Sequence, residues 1–154
     1  MAQRVRLPAA LALVLITGAL AVVSASQGAS PATVNVAQSK LGRILVDAKG
    51  RTLYLYGSET ARNILCTATL LDCTRLWPPL LASGKPTAGP GVEARLLGTA
   101  KRTKPAGTQV TYNGHPLYRC ACDKKPGDTA GQGFGATSGG WYVVSPKGTP
   151  IRKK

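Results

Sequence analysis

Cys120 and Cys122, one residue apart, followed at once by Asp123 and preceded by His115, are the residues of this chain whose types best suit chemistry. Thiolate sulfur and imidazole nitrogen are donors for copper or zinc, so Cys120, Cys122 and His115 form a candidate metal set, with Asp123 as an optional oxygen donor. The set is thin, because only two thiols lie close in sequence and the paired C-x-x-C spacing of structural zinc sites is absent. A C-x-C pair also serves thiol–disulfide redox. On an extended strand residues i and i+2 stand about 7 Å apart, at the limit of what a relaxed disulfide spans. The pair therefore reads as a labile redox pair, a soft-metal site or part of a cross-link to Cys66 and Cys73, the other two cysteines. Four cysteines allow three pairings, and ordinary structural disulfides are the simplest account of them in a small exported chain. No cofactor is otherwise expected.

Enzyme chemistry has little else to stand on. His115 with Cys120 is compatible with a Cys–His nucleophile but lacks a local signature. Glu59 and Asp123 are two of only six carboxylates. They would form a paired-carboxylate site if the fold brought them together, and otherwise they bracket their own turns by accepting backbone hydrogen bonds. The glycine-rich run 127–140 ends in neither Gly-Lys-Ser/Thr nor a helix and reads as tight loop packing beside Trp141, not as a phosphate cradle.

The elements that position these groups come from a duplication. Shifted by 64 residues, Trp77 falls on Trp141, the only two tryptophans, Tyr54 on Tyr118, Gly50 on Gly114, Leu53 on Leu117, Val46 on Val110 and Glu59 on Asp123. Residues 38–87 align with 102–151 without a gap, and a fixed period of this kind marks a structural unit that buries its apolar face against its copy. Trp77 and Trp141 are read as the core anchors, with Tyr54 and Tyr118 on the same seam. Hairpins are expected around Lys49-Gly50 and around Asn113-Gly114, the second being the strongest short signal for a two-residue turn. Pro116 cannot donate to a ladder, which puts its strand at an edge. Further strands are expected over 94–99 and 141–145. The stretch 65–76 is expected to hold a short helix stopped by Pro78-Pro79. The fold class is all-β or β-rich, in two tandem pseudo-symmetric repeats.

Arg4 and Arg6, an apolar run over 7–23 and Val23-Ser24-Ala25 have the three parts of an export signal, with cleavage expected after Ala25. No cysteine stands at the end of this signal for lipid attachment, and no later segment reaches the ~18 apolar residues of a membrane span. Residues 26–33 read as a flexible lead-in, 34–151 as one domain of two repeats, and 152–154 as a basic tail. The chain carries 20 Lys and Arg against 6 Asp and Glu, a formal net charge of +14, and removal of the leader costs two of those cations. Such an excess attracts anionic cell-envelope polymers through a salt-screened field. Nucleic acid is disfavoured, because the bases are scattered and not interleaved with stacking aromatics.

The two Leu-Tyr sites each followed by an acid, the Cys…Cys…Trp77-Pro78-Pro79-Leu80 stretch, the Tyr112-Asn113-Gly114-His115-Pro116-Leu117-Tyr118 hairpin and the run from Pro126 to Gly133 resemble the bacterial "secreted repeat of unknown function" family, described as predicted lipoproteins with a Tyr-x-aromatic-x-x-Asp motif. The resemblance covers about residues 34–151. It implies a small exported repeat protein of the cell envelope or extracellular space, without an assigned activity. It also implies a bridge between Cys66 and Cys73, since the family often carries a nearby cysteine pair before Trp-Pro-Pro. The motif maps to Tyr54, Tyr56 and Glu59 in the first copy and to Tyr118, Cys120 and Asp123 in the second, where a thiol replaces the aromatic. The expected product is a non-enzymatic exported repeat protein. The rival is a metal-binding or thiol-redox accessory protein using Cys120 and Cys122, and a third reading is an electrostatic binder of anionic polymers.

Overall fold

The computed structural model describes residues 31–68 and 73–153. The expected signal peptide 1–25, most of the lead-in, Lys154 and the middle of the 65–76 stretch lie outside them. Among the described residues the chain forms, in order, β1 (Thr33–Ser39), β2 (Gly42–Asp47), β3 (Tyr54–Tyr56), α1 (Cys73–Leu76), β4 (Thr87–Ala88), β5 (Leu97–Thr103), β6 (Ala106–Tyr112), β7 (His115–Pro116) and β8 (Trp141–Val143). They make three small sheets, in the orders β2-β1-β4, β3-β8 and β5-β6-β7. Among the described residues no helix is long and apolar enough to cross a membrane.

The first hairpin of each copy corresponds. β1 and β2 pair antiparallel through a turn at Lys40-Leu41, and β5 and β6 pair likewise through Lys104-Pro105. The second hairpin turn is the expected one: Asn113 and Gly114 take φ of 49° and 77° between Tyr112 and His115. This left-handed pair suits Asn and Gly because neither carries a branched side chain that would clash there. β7, which holds Pro116, lies at the edge of its sheet as expected.

Three expectations are corrected. Residues Ala94–Leu96 form a 3-10 turn, and the strand starts at Leu97 and runs to Thr103. Val46 is not the counterpart of Val110. Leu53 N donates to Leu45 O and Leu45 N to Val144 O, while Leu117 N donates to Val110 O and Val110 N to Leu80 O, which equates Leu45 with Val110. The cause is a first turn one residue longer, in which Asp47 Oδ1 accepts from both Lys49 N and Arg51 N and absorbs the extra residue. Finally, Thr33, expected to end the flexible lead-in, opens a full strand over Thr33–Ser39.

Alternation along the strands fills two hydrophobic clusters. Ile44, Val46, Tyr54, Trp77, Tyr118, Trp141 and Val143 share one, and Leu45, Leu53, Leu55, Leu80, Val110, Leu117 and Val144 share the other. Successive residues of 44–46, 53–55, 117–118 and 143–144 thus point to opposite buried faces, because side chains alternate across a strand. Strands covered on both faces read as unbroken apolar runs, and these do.

Candidate functional site

The motif residues meet at the junction of the copies. Tyr54 N donates to Tyr118 O at 2.8 Å and Tyr118 N to Tyr54 O at 2.9 Å, so the two tyrosines clasp each other through the backbone. Their phenols then cross over. Tyr54 Oη donates to Asp123 Oδ2 at 2.9 Å, and Tyr118 Oη donates to Glu59 Oε2 at 2.8 Å. Each copy supplies the hydroxyl that the other copy's acid accepts. The crossing is reinforced from the turn residues, since Arg51 Nη2 donates to Asp123 O and His115 Nδ1 lies 2.8 Å from Glu59 O. A carbonyl only accepts, so Nδ1 of His115 carries its proton. Arg51 and His115 occupy equivalent positions, and the sequence reading missed what they share.

All four motif ends are buried. Glu59 also accepts from Leu65 N and Cys66 N, and Asp123 also accepts from Ala130 N. Each acid does bracket local backbone, as expected, and in addition accepts from the opposite copy's phenol. The two acids do not pair with each other through a shared partner: Glu59 accepts from Tyr118, Leu65 and Cys66, and Asp123 from Tyr54 and Ala130. Burial, the leading cause, raises both carboxyls above their ordinary values, with the hydrogen bonds pulling the other way. Burial, reinforced by the acid each touches, likewise raises both phenols.

The sign of the resulting pH dependence follows. A group whose folded pKa exceeds its unfolded value holds its proton longer in the folded state, so stability is lost as pH rises through the folded value. Unfolding free energy should fall as pH climbs from the ordinary carboxyl range, 4.5 for Glu and 3.8 for Asp. It should fall again above the ordinary tyrosine value of 10.0. Urea unfolding over a pH series should show Glu59→Gln flattening the first decline and Tyr118→Phe the second.

Arg102 is the buried cation of the site, a role that its place in the basic cluster 101–104 hid. Its guanidinium donates to Gln109 Oε1, Cys66 O, Lys104 O and Pro105 O and lies 5.9 Å from the Tyr118 ring centroid. The period-2 alternation of β5, with Lys101 and Thr103 exposed on either side, was the available signal.

Trp77 and Trp141 stack face to face, with centroids 4.0 Å apart and planes inclined by 2°. Tyr54 meets Trp77 edge-on, Tyr118 meets Trp141 edge-on and Tyr56 stacks on Trp141, so the motif aromatics of both copies build one cluster. The glycine-rich run closes over it. Gly133 N donates to Trp141 O and Trp141 N to Phe134 O, and a Cβ on Gly131 would stand 2.6 Å from Trp77 Cη2. Beside the indoles an open cleft of about 370 Å³ is lined by Tyr56, Leu65, Leu76, Phe134 and the Cys66–Cys73 bridge.

Both cysteine pairs are bonded, Cys66 with Cys73 and Cys120 with Cys122. The C-x-C segment is a turn and not the extended strand assumed from sequence, which brings its Cα atoms to 5.0 Å. The copper or zinc set does not assemble: no three His, Cys, Asp or Glu side chains among the described residues gather around one point, and His115 is turned to the Glu59 carbonyl. Of the basic clusters, Lys101, Lys104, Arg152 and Lys153 are exposed, with Arg152 lying over the Tyr142 ring.

No curated protein and no solved structure matches this chain. Residues 99–145, which carry the second tyrosine, the C-x-C turn, Asp123 and Trp141, match the model of a family described as a secreted repeat of unknown function, in agreement with the resemblance carried by the motifs.

Proposed function

We infer that this protein is exported and works as a non-enzymatic envelope or extracellular repeat protein, in which the duplicated Tyr-x-aromatic-x-x-acid motif is an assembly clasp and not a reactive site. The observation that carries this reading is the crossed pairing of Tyr54 with Asp123 and Tyr118 with Glu59, which uses up all four polar ends inside the core. A catalytic acid or base must reach a substrate proton, and these carboxyls already accept from phenols and backbone amides out of reach of solvent.

Carbodiimide labelling of the native protein, mapped by mass spectrometry, tests it. Glu93 and Asp128 should be modified in the folded state, and Glu59 and Asp123 only after denaturation. Labelling of either motif acid in the folded protein would overturn the clasp reading. Mass measurement of the exported chain should find an N-terminus at Ser26; a product that keeps residues 1–25 in the cytoplasm would overturn the export reading.

A further inference from the structure

The geometry points to the Cys120–Cys122 turn as a thiol–disulfide exchange site for low-molecular-weight monothiols, opening and closing on a fold that does not depend on it. This goes beyond the clasp reading and leaves both crossed phenol–acid hydrogen bonds in place.

The fold contains its own control. Tyr56, Gly57, Ser58 and Glu59 occupy in the first copy the places of Cys120, Ala121, Cys122 and Asp123 in the second. In the first copy Glu59 N donates to Tyr56 O at 3.0 Å, and in the second Asp123 N donates to Cys120 O at 3.2 Å. The same turn is thus closed by the same backbone bond, once with a disulfide and once without. The neighbouring acid is held in both copies by the opposite phenol. A bridge of such short span also removes less unfolded-chain freedom than one of longer span. Cys66–Cys73 closes the longer loop, and its first cysteine is buried between the Glu59 carboxylate and Arg102, through Cys66 N and Cys66 O.

The two sulfurs of the turn differ in the way exchange requires. Cys120 is 1% exposed and packed in the aromatic cluster, whereas Cys122 is partly exposed. An incoming thiolate therefore meets Cys122. The backbone N–H of Cys122 donates to the Cys120 sulfur at 3.2 Å and supplies the departing thiolate with a hydrogen bond inside the apolar cluster. The Lys124 ammonium, 3.2 Å from Ala121 O, adds a positive charge at the intervening residue. Asp123 Oδ1, 4.0 Å from Cys122 Sγ, offers an acceptor to the thiol once it is released.

The steps balance. A monothiolate attacks Cys122 Sγ, the Cys120–Cys122 bond breaks, and Cys120 leaves as a thiolate that takes a proton from water. A second monothiolate attacks the sulfur of the bound thiol, releasing the small disulfide and the Cys122 thiolate. Two monothiols are oxidised and the protein gains two electrons and two protons; run backwards, a small disulfide reoxidises the pair.

The test incubates the full exported chain in buffers of graded reduced-to-oxidised glutathione, traps thiols with N-ethylmaleimide and maps them by mass spectrometry. Expected are two maleimides, on Cys120 and Cys122, while Cys66–Cys73 stays closed and the near-ultraviolet circular dichroism of the tryptophan stack is unchanged. With oxidised glutathione, Cys120→Ser should acquire a mixed disulfide on Cys122 roughly tenfold or more faster than Cys122→Ser acquires one on Cys120, following exposure. The proposal is overturned if the turn opens only together with Cys66–Cys73, only in denaturant, or with loss of the tryptophan signal. The wild-type arms decide alone should either variant fail to fold, and none of them bears on the carbodiimide result.

Discussion

Glu59→Ala should lower the unfolding free energy by about 3–5 kcal/mol, a substantial fraction of the total stability of a domain of this size. The cost is not the loss of a negative charge, which burial already disfavours. It is that Tyr118 Oη, Leu65 N and Cys66 N lose their acceptor inside the protein, and each stranded donor carries its own desolvation penalty. Glu59→Gln keeps a carbonyl oxygen for the amides and should cost far less. Glu93→Ala removes an exposed carboxylate paired with the exposed Arg95 and should stay within about 0.5 kcal/mol. Urea unfolding of the three variants orders them; a Glu59→Ala loss below about 1 kcal/mol would refute the clasp as a stabilising element.

Trp141→Ala should cost a similar amount, about 3–5 kcal/mol, for a different reason. The indole of Trp141 touches three rings, those of Trp77, Tyr56 and Tyr118, and it is 5% exposed. Its removal leaves a void bounded by rings of which Tyr118 is held by Glu59 and Tyr56 by the Ser138 carbonyl, which limits collapse. Trp77→Ala should fall in the same range, because it too touches three rings, those of Tyr54, Phe134 and Trp141. Either variant should also erase the near-ultraviolet signal of two parallel indoles. Thermal melts and dichroism of the pair together check both points, and full stability in Trp141→Ala would remove the stack from the list of core contacts.

What the sequence made legible is what repeats locally. Gly50, Asn113 and Gly114 marked turns because backbone conformation there depends on the residue itself, and the paired tryptophans marked the core because few other side chains fill that volume. Pro78 marked the end of the short helix for the same local reason. The ungapped alignment erred by one residue at Leu45 because the extra residue sits in a turn whose length only Asp47's hydrogen bonds reveal. The strand at 33–39 was passed over because Asn35 and Gln38 dilute its apolar alternation. The clasp itself was out of reach: Tyr54 and Asp123 are 69 residues apart, and nothing in either neighbourhood announces the other. Arg102 was read as surface charge, since a cluster of cations looks alike whether one of its members points inward or not.

The crossed phenols also make each half incomplete without the other. Neither half closes its own polar inventory, because each tyrosine's acceptor belongs to its twin. A polypeptide with one copy alone would have to borrow that acceptor from a second molecule, so its closure would depend on concentration, whereas covalent linkage of the two copies makes the same closure intramolecular.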